Sequence, residues 1–342
     1  MMALIFGLTN PFESATVYAG DLNDEPIGAR ITLAKDRILV FTDTVARQAS
    51  VAYPLASSTN PAADDFLRQP PADYNGYGLL ITSDIFFNNG TSLTGAAGIG
   101  SVRLTEKGTL TAAYVRLDSH DGQSRQGDDY VLRSNEYFVG YSQRLTEYLA
   151  VGGEVQFTDS TLKIGDTFLG LPRDTESDTF GVGFDIGVLV ALHETFTIGV
   201  HGGVKWDRTK TDGTITTPGP PIPIRLRDTT NISEARVGLG WRPTKQIGVY
   251  TDLQYVHLDD DMGTTEVGRL YVGTEIFPTP TLALRLGGVF DTQPQAGITA
   301  GIGFYGIKGV PIELAYAYNT FTEVRQEFGR AHLLSLSVVF LF

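Results

Sequence analysis

Along most of the chain, apolar and polar side chains alternate one by one. The clearest case is TFGVGFDIGVLV: Phe180, Val182, Phe184, Ile186, Val188 and Val190 share one face, and Gly181, Gly183, Asp185 and Gly187 the other. A period of two is that of a β-strand. The bulky face is wholly apolar, and the opposite face is glycine-rich and charged. Comparable segments lie at about 77–88, 92–105, 109–119, 135–146, 149–163, 179–192, 195–209, 231–243, 246–259, 264–278, 281–292, 296–308, 311–321 and 330–342, fourteen in all. No helical period or solenoid repeat stands out, and the repeating unit is the β-hairpin. No window reaches the ~18–20 apolar residues of a spanning helix. Barrel strands, which show lipid only every second residue, escape such a window.

The connections sort by length. Tight turns (LTEKG, RLTEY, LHET, RPTKQ, FPTP, GIKGV) alternate with a second set that is mostly longer and more polar: 120–134, 165–178, the Pro-rich 210–228, LDDDMGTT and 322–329, with NNGTS and DTQPQ as its short members. Short turns at one end and long loops at the other are the pattern of an even-stranded outer-membrane barrel. The chain closes on AHLLSLSVVFLF, where Leu334, Leu336, Val338, Phe340 and Phe342 share a face and Ser335 and Ser337 point the other way. An apolar last strand ending in Phe342 resembles the C-terminal signal that outer-membrane barrels present to the barrel-assembly machinery. The expected fold is therefore all-β: a transmembrane antiparallel up-and-down barrel of about fourteen strands at residues 77–342, with both termini periplasmic in a bacterial (Gram-negative) outer membrane.

Residues 1–76 fit the pattern less well. ARITLAKDRILVFTD and VARQASVAYPL are strand-like and leave sixteen strands as the alternative, whereas STNPAADDFLRQPPADYNG reads as loop or plug. Residues 1–19 read either as a signal remnant or as the start of a mature chain.

Parity assigns lumen-facing charges. The acidic set is Asp84, Glu154, Asp185, Glu234, Asp252, Glu275 and Glu313; the basic set is Arg103, Arg116, Arg144, Lys205, Arg236, Arg269 and Arg285. Seven against seven predicts ion pairs between neighbouring strands, because buried charge needs partners. It does not predict a single-sign selective pore. Glycines on this face (Gly181, Gly183, Gly199, Gly203, Gly238, Gly240, Gly301, Gly303) are expected to leave room for a plug, a ligand or water. Trp206, Trp241, Tyr255, Phe277, Tyr316 and Tyr318 are expected in aromatic girdles.

The formal net charge is -13 and there is no cysteine. The first argues against a nucleic-acid partner; the second excludes disulfides and thiolate metal sites. Catalytic signals are weak. HETFTIGVH lacks the HExxH spacing, so His193 and His201 read as a loop and a lumen histidine. GVGFDIG lies inside a strand and lacks the helix of a dinucleotide site. Asp259, Asp260 and Asp261 read as a solvated loop tip rather than a Ca²⁺ site. His257 and Ser233 lie on different strands. No enzyme activity, cofactor or metal site is expected.

The stretches EYFVGYSQRLTEYLAVGGEVQF, DIGVLVAL, LRLGGVFDTQPQAGITAGIGF and IELAYAYNTF with HLLSLSVVFLF resemble the FadL-like superfamily of outer-membrane proteins over about residues 135–342. That superfamily includes long-chain fatty-acid and aromatic-hydrocarbon channels and the barrel shuttles of type IX secretion. The resemblance implies fourteen strands and an N-terminal plug carrying Asn-Pro-Ala, matched here by Asn60, Pro61 and Ala62. It implies a channel for small hydrophobic molecules, with a general porin or a plugged scaffold as alternatives. Phe168, Leu169, Leu171, Ile222 and Ile224 are candidates for a first greasy loop site. Expected partners are outer-membrane lipid and lipopolysaccharide, the assembly machinery and hydrophobic small molecules.

Overall fold

The structure, a computed structural model, describes residues 77–88, 91–105, 108–119, 122–123, 129–146, 148–168, 171–193, 196–244, 246–260, 263–292, 296–307, 310, 312–318 and 332–341. These form β1 (Tyr77–Asn88), β2 (Thr91–Thr105), β3 (Gly108–Ser119), β4 (Gly122–Gln123), β5 (Asp129–Arg144), β6 (Leu149–Phe168), β7 (Leu171–His193), β8 (Phe196–Ile215), β9 (Ile222–Trp241), β10 (Ile247–Asp260), β11 (Gly263–Thr279), β12 (Leu282–Asp291), β13 (Ala296–Phe304), β14 (Ile312–Tyr318) and β15 (His332–Leu341). The segment 1–76, with Asn60–Ala62 and the signal question, and the terminal Phe342 lie outside the described residues.

Apart from the two-residue β4, consecutive strands pair antiparallel, β3 pairs with β5, and β1 pairs with β15 to close the ring. Gly78 of β1 lies opposite Leu341 of β15, and Gly108 of β3 lies opposite Gln143 of β5. The two-residue β4 merely flanks β5. The ring is thus an up-and-down barrel of fourteen strands, and it closes without any strand from residues 1–76, which sets aside the count of sixteen. Closure leaves no edge, and this is what lets a sheet cross hydrocarbon with every backbone group bonded.

Alternation decides the faces. On the outside, Phe180, Phe184, Ile186 and Val188 are exposed, and so are Val200, Val204, Val237, Leu239, Leu284, Leu286, Ile298 and Ile302. On the inside, charged, hydroxylated and small residues are buried. This is the inverse of a soluble protein and suits an apolar solvent around the wall. Tyr114, Tyr137, Phe157, Val182 and Trp206 stand side by side in direct register, forming a mostly aromatic girdle at mid-height of these strands. Trp241, Phe304 and Tyr148 are exposed toward the tight-turn end. Phe277 is not a girdle residue. It is partly buried against the Arg242 guanidinium and Tyr305 on the inner side, next to a register shift between Ile276 and Thr279.

The wall is uneven in height. β6, β7, β8 and β9 have 20, 23, 20 and 20 residues, whereas β12, β13, β14 and β15 have 10, 9, 7 and 10. About 9–11 suffice to span a bilayer. Segments 165–178 and 210–228, expected as loops, are mostly strand, and only short tips separate Phe168 from Leu171 and Ile215 from Ile222. Their inner face is a hydroxyl ladder. Ser177 and Thr211 are 2.8 Å apart, as are Thr179 and Thr209. Cross-strand Thr/Ser pairs favour strand without any apolar face.

The chain has no native thiol, so closure is testable by cross-linking. Ser83 lies opposite Leu336. The double variant Ser83→Cys/Leu336→Cys should oxidise in the folded protein, and the boiled chain should then run faster on a non-reducing gel. Free thiols in the folded fraction would mean that β1 and β15 are not paired.

Candidate functional site: the two halves of the inner wall

From β7 to β13 the inner wall is built from charges that interlock across strands. Arg236 Nε (β9) donates to Asp252 Oδ2 (β10) at 2.8 Å, and the guanidinium also stacks 4.8 Å from the Tyr271 ring centroid (β11). Arg285 Nε (β12) donates to Glu275 Oε1 (β11) at 2.7 Å, and its Nη2 bonds the Tyr305 hydroxyl. Arg242, from the β9–β10 turn, reaches the other oxygen of Glu275 at 3.2 Å. Arg269 joins Asp291 at 3.1 Å, and Lys205 joins Asp207 at 3.3 Å. His201 Nε2 lies 3.2 Å from Asp185 and Nδ1 3.8 Å from Glu234, which accepts from Gln254 at 2.8 Å. Tyr271 donates to Gln254 at 3.0 Å. Both side chains of the Arg236–Asp252 and Arg285–Glu275 pairs are 0% exposed. In so dry a setting these pairs act as rivets between strands rather than as ion-attracting groups.

The glycines serve this network. A side-chain carbon on Gly181 would collide with Lys205 and Asp207; on Gly183, with Gln156; on Gly203, with Asp185; on Gly303, with Arg285 and Tyr305. The space they leave is taken by long polar side chains lying flat on the wall, not by a separate occupant.

The other half differs. Around β12, β13, β14, β15 and β3 the buried inner positions include Ala283, Val289, Thr299, Ala315, Ala317, Leu333, Thr111, Ala113 and Val115. These described positions are small and mostly apolar, and Arg285 stands at their border with the charged half. Small-molecule passages are typically lined in this way, by apolar groups with few polar ones.

Of the charges expected in the lumen, Glu154, Lys205, Arg236, Asp252, Arg269, Glu275 and Arg285 are buried on the inner face. Asp185 and Glu234 lie there with little exposure. Arg144 ends β5 opposite Ala150, in the inward register of Ser142. Arg116 is a correction. Its side chain is half exposed on the outer face beside Tyr114, and it forks onto Asp118 at 2.5 and 3.1 Å. The β3 sequence has apolar groups on both faces, so its parity is ambiguous. Asp84 (opposite Gly95 and Ser335), Arg103 (opposite Thr109) and Glu313 (opposite Gly303 and Ser337) are placed by backbone register, and their side chains lie outside the described residues. Of the assembly signal, Val338 and Phe340 are partly buried in β15. Leu171 and Ile224 are partly buried and Ile222 exposed at the tall hairpin tips. The Phe168 side chain and Leu169 are outside the description.

Sequence parity missed Asp207, Asp291 and Glu136, although each keeps step with an inward neighbour. It had no means of finding Arg242, which enters from a turn. Among the described residues no group of three or more His, Asp or Glu side chains could hold a metal ion. Asp260 instead accepts the Gly263 N–H at 3.0 Å and Asp259 accepts from Thr264 at 3.2 Å, closing the β10–β11 hairpin, where Gly263 takes a φ of 152°. Ser233 and His257 turn out to be direct cross-strand neighbours on the outer face, with His257 Nδ1 3.6 Å from Glu266. Among the described residues no hydrogen bond joins the serine to the histidine, so the geometry is not that of an activated nucleophile.

Residues 96–273 match the family described as Outer membrane protein beta-barrel domain. Comparison with curated proteins finds no match. Several solved structures share the fold. The CymD monoaromatic hydrocarbon channel superposes with a TM-score of 0.62 at 12% identity, covering 83% of this chain and 91% of that one. The Pseudomonas putida toluene transporter TodX gives 0.58 at 14%, covering 86% and 96%. A Pseudomonas aeruginosa FadL homologue gives 0.64 at 11%, covering 92% and 98%.

Breaking one rivet tests the network. Arg236→Met strands Asp252 in the wall and should cost about 3–5 kcal/mol, whereas Arg236→Met with Asp252→Leu should recover most of it. The readout is the urea midpoint of the folded, heat-modifiable gel band in detergent. Equal loss in single and double variants would contradict the pairing.

Proposed function

Because the chain belongs to the outer membrane protein beta-barrel domain family, we propose that this outer-membrane barrel is a channel for small hydrophobic molecules. The observation that carries the reading is the division of the inner wall. On one half buried charges are paired across strands; on the other half the described buried positions are mostly Ala, Val, Thr and Leu. A water-filled general porin is disfavoured, since fourteen strands are few for one and its charges would be solvated rather than riveted. Two of the structures sharing the fold are described as a monoaromatic hydrocarbon channel and a toluene transporter, which supports a substrate of that class. No catalytic step belongs to this reading.

In the proposed orientation the tall β6–β9 hairpins face the outside, and the tight turns and both termini face the periplasm. The hairpin tips with Phe168, Leu169, Leu171, Ile222 and Ile224 offer a first apolar contact, and the substrate descends the mostly apolar half of the lumen. Residues 1–76, with Asn60, Pro61 and Ala62, act as the periplasmic plug, and the last strand is read by the barrel-assembly machinery.

Two outcomes are expected. Ala315→Phe/Ala317→Phe should leave the folded amount unchanged and lower toluene uptake into intact cells about fivefold or more, since a bulky ring obstructs a close-packed passage; unchanged uptake would contradict the route. In a planar lipid bilayer the full chain should be silent and the chain lacking residues 1–76 should give steady current steps. Steps from the full chain would overturn the plug, and silence from both, with no toluene uptake, would favour a protein-binding scaffold.

A further inference from the structure

The outer face of the β8–β9 hairpin changes abruptly from apolar to basic. Trp206 ends the girdle on β8 and is 52% exposed. The next outward positions are Arg208, Lys210 and Asp212. On β9, Arg227 lies directly opposite Lys210, Arg225 opposite Asp212, and Thr229 opposite Arg208. Lys210 is paired with Asp212. That pairing, with Arg225 and Arg227 close by, holds the Asp212 carboxyl below its ordinary value. Arg208, Arg225 and Arg227 are exposed, and Arg225 and Arg227 share the one Asp212 carboxylate with Lys210. Like charges directly opposite on a sheet are destabilising, so Lys210 against Arg227 has no structural justification of its own.

The neighbouring strands offset this surface only in part. On β7, Glu176 is taken by Lys163 at 3.1 Å, and Asp178, which faces Lys210, accepts from Thr161 at 2.9 Å. Asp174 lies further up, opposite Thr214. β10 pairs with β9 no higher than Asn231 opposite Asp259, so it places nothing beside Arg225 and Arg227. The cluster is basic on a chain of net charge -13. Two strand residues advance about 7 Å, so Arg208 sits one headgroup layer beyond Trp206.

We propose that Arg208, Lys210, Arg225 and Arg227 seat the phosphate groups of an outer-leaflet glycolipid, the phosphorylated sugar headgroup of lipopolysaccharide, whose acyl chains lie on Trp206 and Val204. The assignment rests on the orientation given above, with the tall hairpins outside. Guanidinium forks match phosphate oxygens bidentately, and the apolar belt below them gives acyl chains a continuous surface. A free anion would use the arginines but not the belt.

The test uses the full chain, purified in detergent free of lipopolysaccharide, with the thermal midpoint of the folded band read against added lipid. Lipopolysaccharide should raise the midpoint, and the dephosphorylated lipid should be at least about tenfold weaker, as loss of charge-assisted bonds requires. The triple variant Arg208→Gln/Arg225→Gln/Arg227→Gln should need about ten- to hundredfold more lipopolysaccharide for the same shift, from three such bonds. The triple change to Lys should restore part of the response, and Arg116→Gln should behave as the wild type. Equal responses of wild type and Gln variant, or of both lipids, would overturn the site; inorganic phosphate matching lipopolysaccharide would overturn the lipid as ligand. Orientation is read separately. Gly219→Cys, the only thiol in the chain, should react with a membrane-impermeant maleimide on intact cells. Folded protein that does not label would overturn the orientation and the outer-leaflet assignment, whatever the binding result.

Discussion

The structure depends on one constraint: in hydrocarbon there is no water to bond a stray N–H or C=O, so the sheet must close on itself. The β1–β15 and β3–β5 pairings meet that demand. Once the ring is closed, inward side chains face a confined interior, and outward ones within the span face lipid. Polarity therefore inverts, with Phe, Val, Leu and Ile outside and carboxylates, guanidiniums and hydroxyls inside. The interior charges are tolerable only as pairs, and the pairs need room to lie against the wall. Gly181, Gly183, Gly203 and Gly303 provide that room. The glycines under the charge pairs and the alternation are consequences of the same closure.

The closed ring is not symmetric, and function follows from that asymmetry. The β6–β9 side stands tall and is polar above the girdle; the β12–β15 side barely spans. Inside, the riveted half is held by paired charges, and on the other half the described buried positions are small and mostly apolar.

Much of this was legible in the sequence because alternation is strong wherever one face meets lipid. The strand number and most inward charges followed from it. What failed to show was what lacks that contrast. The threonine ladders of the tall hairpins are polar on both faces, so 165–178 and 210–228 read as loops until Ser177, Thr179, Thr209 and Thr211 are seen paired. In β3, Tyr114 and Val115 are both apolar and face opposite ways, so parity placed Arg116 on the wrong side. Phe277 stands beside a register shift that no local pattern announces. Arg242 reaches the lumen from a turn, where periodicity has nothing to say. The meeting of Ser233 with His257 depends on strand register, which hydrophobic pattern alone does not fix between two strands of similar composition.

The most direct test of the divided lumen is photolabelling of the folded barrel in outer-membrane vesicles with a small aromatic diazirine, mapped by peptide mass spectrometry. The account predicts inward labels concentrated on Ala113, Val115, Ala315, Ala317 and Leu333, lost on competition with toluene. Labels confined to the outward belt, around residues such as Leu239, Leu253 and Leu286, and indifferent to toluene, would contradict it.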